Sequence, residues 1–218
     1  MKDCVLFLNG QYPRKHLDYY RSFCRDAFAV AVDGGYRFFK AAGLWPDLLI
    51  GDFDSISRVP RNLPETTKVV EFSSHKDKTD AHLALEHCLK LKPSRIRIVQ
   101  PSTGEPDQFI GNMMLLTLAR NKQSSKRRPD IRIINIAYEI LFLDNSTHTI
   151  THGSGGLVSI IPLSRTIRYT CTGTEYLVRD RKLRRGDSLA LRNSITGKRA
   201  GFRVKGQAFL VHRFADHK

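Results

Sequence analysis

The segment Pro46-Asp47-Leu48-Leu49-Ile50-Gly51-Asp52-Phe53-Asp54-Ser55 sets two carboxylates, one residue apart, directly after a short apolar run that ends in glycine. Asp33, in Val32-Asp33-Gly34-Gly35, stands in the same relation to its own apolar run, and Asp77 and Asp80 fall at the opening of a helical pattern. Ligands of open α/β sheets bind beyond the carboxyl ends of the strands, so carboxylates in these places meet at one edge. Gathered there they repel one another unless a cation sits among them. Mg²⁺ is the natural choice, because it takes hard oxygen ligands and bridges phosphate groups. A plainer reading stands beside this one: aspartate is common in turns, and Asp80 equally suits the cap of its helix. Gly34-Gly35 opens a helix, where free N–H groups and the helix dipole favour phosphate, or else serves only a tight turn. No GxxxxGK[ST] loop is present, and Gly153-Ser154-Gly155-Gly156 lacks the following lysine, which excludes an ordinary P-loop enzyme.

The elements that must position these groups alternate in the first half of the chain. Apolar runs at Cys4–Asn9, Ala27–Val32, Leu48–Gly51, Val69–Phe72 and Ile96–Gln100 read as strands. Helices are expected over Tyr36–Ala42, Asp80–Leu91 and from about Gln108 to Arg120, with Gly43 ending the first of them. Strands separated by helices imply an α/β, doubly wound, largely parallel sheet. The polar, basic stretch from Asn121 to Asp130 reads as a linker or exposed loop. Beyond it lie short β-prone runs at Ile131–Ile136, Glu139–Leu143, Leu157–Ile161, Ile167–Thr172, Ser188–Leu191, Phe202–Lys205 and Ala208–Val211. Gly155-Gly156, Gly186-Asp187 and Lys205-Gly206 mark turns between them, so this part is expected to be an all-β sandwich or barrel. The expected division is an α/β domain over 1–128 and an all-β domain over 129–218.

Composition narrows the class further. The 218 residues are 41% apolar, enough for a buried core, and no apolar run approaches the roughly 20 residues of a membrane span. The N-terminal apolar stretch is too short for a secretory signal. Four cysteines without CxxC spacing suggest reduced thiols and a cytoplasmic location. His82 and His87, five apart on a helix, do not share a face, and these histidines read as surface or satisfied polar groups. A balance of 36 basic against 21 acidic residues favours a polyanionic partner, either nucleic acid or a phosphorylated small molecule, or simply a well-solvated surface.

Taken together, Asp33-Gly34-Gly35 before a helix, the Pro46–Ser55 segment and Lys76-Asp77-Lys78-Thr79-Asp80 resemble the motifs of the thiamine pyrophosphokinase family, in the family's order. Thr103-Gly104 with Asp107-Gln108 and Asn112 is similar to a further family segment. Ser159–Ser164, Thr172–Tyr176 and Arg192-Asn193 resemble its C-terminal landmarks, so the likeness runs from about residue 4 to 213. The resemblance implies an α/β nucleotide-binding domain followed by a β-sandwich that binds thiamine. It also implies a homodimer with active sites between subunits, and transfer of pyrophosphate from ATP to thiamine with release of AMP. By position, Asp52, Asp54 and Asp80 would hold Mg²⁺, with Asp33 in support, and Asp77 or Asp80 would orient or deprotonate the thiamine hydroxyl. Gly34, Gly35, Thr103, Gly104, Asp107, Gln108 and Asn112, with Asp33, would line the nucleotide site. Arg192 and Asn193, with Asp80, would approach thiamine. A membrane is not expected as a partner, nor is nucleic acid. Two residues depart from the family pattern: Glu105 stands where an arginine is usual, and Arg192 where a serine is. They keep two alternatives open, a related pyrophosphokinase acting on a pterin-type alcohol and a non-catalytic basic binding protein of the same fold.

Overall fold

A computed structural model of the chain describes residues 3–56, 59–73, 77–101, 104–122 and 129–215. The chain divides into two compact units, Met1–Ile136 and Ala137–Lys218.

In the first unit the strands are β1 (Asp3–Phe7), β2 (Ala27–Val32), β3 (Leu48–Gly51), β4 (Lys68–Glu71), β5 (Arg95–Val99) and β6 (Asp130–Ile134). They pair in parallel in the order β6-β5-β1-β2-β3-β4. The chain steps outward from β1 to β4, then crosses back to lay β5 and β6 on the other side of β1. The direction of winding therefore reverses between β1 and β5, where a doubly wound sheet leaves a crevice at its carboxyl edge.

Helices α1 (Leu17–Arg21) and α2 (Tyr36–Ala42) cover one face of this sheet, and α3 (Asp80–Lys90) and α4 (Pro106–Lys122) complete the unit. Alternation along β1 explains how the faces are shared. Val5 and Phe7 join α1 and α2 in one buried cluster with Tyr20, Phe38 and Phe39. Cys4 points the opposite way, to a thiol hydrogen bond with Cys88 of α3. Buried Ala81, Ala84, Leu85, Cys88 and Leu89 recur at helical spacing along α3, while Leu91, expected inside, is 43% exposed. Thr79 caps this helix by accepting a hydrogen bond from the backbone N–H of His82 (3.2 Å). All four cysteines are free. Burial pushes the Cys24 thiol up to about 12, and the bond to Cys4 together with burial pushes Cys88 up.

The second unit contains β7 (Tyr138–Thr151), β8 (Leu157–Pro162), β9 (Thr166–Thr172), β10 (Val178–Arg184), β11 (Asn193–Ser194) and β12 (Arg199–Arg213), all paired antiparallel. β7 and β12 form a long ribbon. The first part of β12 (Gly201–Lys205) also pairs β9, and its last part (Ala208–Arg213) also pairs β8. Two layers thus share one ribbon and enclose one core that includes Leu141, Ile160, Tyr169, Phe202 and Leu210.

Several sequence expectations need correction. The division falls at 136/137 rather than 128/129, because Asp130–Ile134 pairs in parallel with β5 and completes the α/β sheet. Phe202–Lys205 and Ala208–Val211 are one strand, not two. Gly206, at φ +102°, sits in a register shift between Val204 and Gln207 that bends the ribbon without ending it. Ser188–Leu191 is a turn, whereas the charged run Val178–Arg184 is a strand, with Leu183 alone fully inward. The short helix at Leu17–Arg21 was not expected. Most of the basic stretch before Asp130 lies outside the described residues.

The aromatic layer under the sheet is the obvious point of stability. Phe7 and Phe38 stack with ring centroids 4.1 Å apart and planes 5° from parallel, and Phe39 meets Phe7 edge-on at 5.1 Å. All three are fully buried. Phe38→Ala is therefore expected to destabilise the chain by about 3–5 kcal/mol, measured by urea unfolding, through lost transfer energy and the cavity left behind.

Candidate active site

The carboxyl edge of the parallel sheet opens into a cleft of about 1130 Å³. Into it come the ends of β1 (Leu8, Asn9, Gly10), β2 (Val32, Asp33) and β5 (Gln100), the loop after β3 (Asp52, Asp54, Ser55), the start of α3 and one side of α4. Among the described lining residues there are seven carboxylates, from Asp33, Asp52, Asp54, Asp77, Asp80, Glu105 and Asp107, and one lysine, Lys78. In a chain of net charge +15 this is a local inversion of sign.

Asp33, Asp52 and Asp54 each offer a carboxylate oxygen within 4.8 Å of the others. At that separation each pair of charges repels by about 1 kcal/mol in water, and by about 3 kcal/mol at an effective dielectric of 20. Backbone geometry enforces the crowding. Phe53 has φ +62° and Asp33 φ +47°, conformations that cost an L-residue roughly 1–2 kcal/mol each. The turn at Phe53 drives its ring into the aromatic core, 4% exposed, and leaves Asp52 and Asp54 in the cleft. Gly51 closes the other gap: a Cβ there would stand 3.0 Å from that of Asp33, so only glycine lets β3 end so near β2.

A hydrogen-bond relay that sequence reasoning missed holds this loop. Arg37 of α2 donates to Asn9 Oδ1 (2.9 Å) and to the Ser55 carbonyl (2.5 Å). Asn9 Nδ2 donates to Ser55 Oγ (3.2 Å), and Ser55 Oγ donates to Asp54 Oδ1 (3.2 Å). No local pattern marks Asn9 or Arg37, because their meeting depends on β1 and α2 being neighbours. Asp47, within the most informative segment, has a structural job instead. Its carboxylate accepts from the Ala29 N–H (2.7 Å) and ties the approach to β3 to β2.

The cluster fits a hard divalent cation. Asp33 is 8% exposed, and its Oδ1 is buried with no hydrogen-bond partner among the described residues, which costs about 1–3 kcal/mol unless a ligand satisfies it. Three oxygens converge, and oxygen is the donor Mg²⁺ prefers. Asp80, expected as a ligand, lines the same cleft from the first turn of α3 but stands outside the 4.8 Å trio, whose third member is Asp33.

The other expected residues divide clearly. Asp77, Gly104, Asp107, Gln108 and Asn112 line the cleft, and Thr103 lies outside the described residues. Gly34 and Gly35 do not line it. Both are buried against the end of β1, where a Cβ on Gly35 would sit 1.9 Å from the Phe7 carbonyl oxygen and one on Gly34 would sit 2.2 Å from Asn9 Oδ1. Their glycine character serves close packing at that turn. Asn193 and Arg192 belong to the second unit. Asn193 accepts from the Tyr176 N–H (3.0 Å), donates to the Tyr176 carbonyl (2.8 Å), and lines a smaller cavity of about 350 Å³. Arg192 is exposed, at φ +58°, with its N–H donated to Ser159 Oγ (3.0 Å). Of the two histidines on α3, His82 pairs with Glu86 (3.2 Å), which Lys78 also engages (3.0 Å).

Residues 20–127 match the family described as thiamin pyrophosphokinase, catalytic domain. Over nearly its whole length the chain is similar to thiamin pyrophosphokinases. A curated relative named thiamine pyrophosphokinase, from Bacillus subtilis, is 28% identical over 191 residues, which are 86% of this chain and 87% of the relative. A solved thiamine pyrophosphokinase structure from the same organism superposes with a TM-score of 0.82 at 26% identity, covering 99% of this chain and 100% of the other. That from Geobacillus thermodenitrificans gives 0.80 at 25% identity, covering 100% and 99%. The matched family segment contains every carboxylate of the cleft.

A metal at the trio has a consequence that needs no substrate. Mg²⁺ should raise the thermal midpoint of the wild-type chain by mass action. Asp52→Asn and Asp54→Asn should each weaken that rise, while keeping a metal-free midpoint at or above that of wild type because a repulsion has been removed. Scanning calorimetry across a MgCl₂ series checks this, and an undiminished rise in both variants would rule out the trio as the ion's site.

Proposed function

We propose that the protein is a thiamine pyrophosphokinase that transfers the pyrophosphoryl group of ATP to the hydroxyethyl oxygen of thiamine, releasing AMP. The observation that carries this reading is the acidic cleft at the switch point of the sheet, within a segment matched to the catalytic domain of that family. A bare nucleoside triphosphate would be repelled by seven carboxylates, so a polyanion enters only with its cation.

Asp33, Asp52 and Asp54 would hold Mg²⁺, which when bound neutralises charge on the phosphate oxygens. Gly104, Asp107, Gln108 and Asn112 line the nucleotide side of the cleft. Asp77 or Asp80, at the start of α3, accepts the proton of the thiamine hydroxyl. The freed oxygen attacks the β-phosphorus, a new P–O bond forms, and the bond from that phosphorus to the α–β bridging oxygen breaks, leaving AMP. Most of the rate enhancement is positioning and electrostatic neutralisation, since the protein forms no covalent intermediate. Among the described lining residues, Lys78 is the lysine available to the phosphates where Glu105 replaces the usual arginine.

A homodimer fits the second unit. Around Asn193 and its cavity, Tyr176, Leu177, Leu189 and Leu191 are 67%, 70%, 57% and 46% exposed, an apolar patch suited to a second copy. Arg192 and Asn193 would then approach thiamine from the partner. Four free cysteines suit a reducing cytoplasm, and among the described residues no helix is long and apolar enough to cross a membrane.

The test is AMP release from Mg·ATP with and without thiamine, with thiamine diphosphate quantified in parallel. Thiamine-dependent AMP in equal yield with thiamine diphosphate is expected. Asp52→Asn or Asp54→Asn should lower kcat by about 10²-fold or more with the fold intact. Product from a pterin alcohol but not from thiamine would replace the substrate assignment.

A further inference from the structure

We infer that Gln100 selects the nucleotide by accepting a hydrogen bond from the exocyclic amino group of adenine, an inference that rests on the cleft being an ATP site. Gln100 follows β5 directly, on the opposite side of β1 from the metal trio. Its main-chain N–H donates to the Ile134 carbonyl (3.0 Å), which fixes the backbone between β5 and β6. The side chain lines the cleft and is 4% exposed, yet its Oε1 is buried with no hydrogen-bond partner among the described residues. An acceptor in that state is destabilising until a donor arrives.

The order of strands says which part of the ligand supplies that donor. With neighbouring strands about 4.8 Å apart, Gln100 stands about 10 Å from the end of β2 and about 14 Å from the end of β3. Phosphates held over β2 and β3 by the trio leave the nucleoside to extend across β1 toward β5. The cleft also carries apolar surface from Leu8 at the end of β1 and Leu115 and Leu118 on α4, suited to the faces of a flat ring. A ring flanked in this way presents its edge to Gln100. Adenine carries an amino donor on that edge, and side-chain amides read it well. Hypoxanthine and guanine carry a carbonyl oxygen there, which would oppose Oε1 acceptor to acceptor. With Oε1 turned toward the base, the amide favours ATP and disfavours ITP and GTP.

The experiment compares ATP, purine riboside triphosphate (which lacks any group at C6) and ITP as pyrophosphoryl donors for the full chain at saturating thiamine. For wild type, kcat/KM should favour ATP over the other two by about 10- to 100-fold, mostly through KM. Gln100→Leu should raise KM for ATP to that of purine riboside triphosphate while changing kcat little, and the preference should collapse toward one. Gln100→Glu, nearly isosteric and still an acceptor, should retain the preference, and thermal midpoints of both variants report on folding. An unchanged ATP to purine riboside ratio in Gln100→Leu overturns the inference. So does a loss that follows 2′-deoxy- or 3′-deoxy-ATP instead of the base analogue, which would assign the contact to ribose. Should wild type make no thiamine diphosphate, the reading of the reaction fails on its own. Calorimetric affinities of Mg·ATP and Mg·purine riboside triphosphate for wild type and Gln100→Leu then still decide the role of Gln100.

Discussion

Electrostatic crowding at the carboxyl edge of the parallel sheet is the constraint around which the first unit is organised. Three carboxylate oxygens within 4.8 Å of one another and four further carboxylates on the same cleft are unfavourable in isolation. The rest of the unit holds them there nonetheless. Asp33 within the trio and Phe53 between its other two members adopt left-handed backbone conformations, and a glycine without room for a Cβ brings β3 up against Asp33. Strain and repulsion concentrated in one place are tolerable only when the surrounding structure over-determines the geometry. That surrounding structure is the stacked aromatic layer of Phe7, Phe38 and Phe39, into which Phe53 anchors the loop itself.

Rigidity and chemistry are linked through this anchor. Phosphoryl transfer asks little of a protein in covalent chemistry and much in placement, and the loop that carries Asp52 and Asp54 is fastened at both ends. Its inner fastening is Phe53 in the core. Its outer fastening is the relay from Arg37 through Asn9 and Ser55 to Asp54, which spans β1, α2 and the loop after β3. Arg37 is thus engaged in holding the loop, and Lys78 is the one lysine or arginine among the described residues that line the cleft.

The second unit solves a different problem. A single sheet of short strands with one apolar face would leave that face in water. The long ribbon of β7 and β12 is bent by a register shift near Gly206, so its two ends pair with β9 and β8 and the layers close over a common core. The turn held by Asn193 and Tyr176 then lies at the mouth of a small cavity, with exposed leucines around it.

Local patterns alone determined much of this protein. Alternating strands and helices before about residue 120, short β-prone runs after it, and carboxylates at strand ends are properties of neighbouring residues, and the family motifs are contiguous strings. Period and turn chemistry act over a few residues, which is why β2, α2, β3 and α3 were recognisable from composition and spacing. Tertiary structure decided what depends on contacts between distant segments. Asp130–Ile134 looks like any other β-prone run, and only its parallel pairing with β5 assigns it to the first unit. Val178–Arg184 carries too many charges to read as a strand, yet pairing with β9 makes it one, because an edge strand needs only one apolar side chain facing inward. Gly34 and Gly35 read as either a phosphate cradle or a tight turn, and only the Phe7 carbonyl and the Asn9 side chain pressed against them show why a Cβ does not fit there. Asp33 joins Asp52 and Asp54, and Gln100 faces the cleft, only because β1, β2, β3 and β5 end along one edge. Side-chain convergence across strands far apart in sequence is a matter of sheet order and register, and no local stretch of residues encodes it.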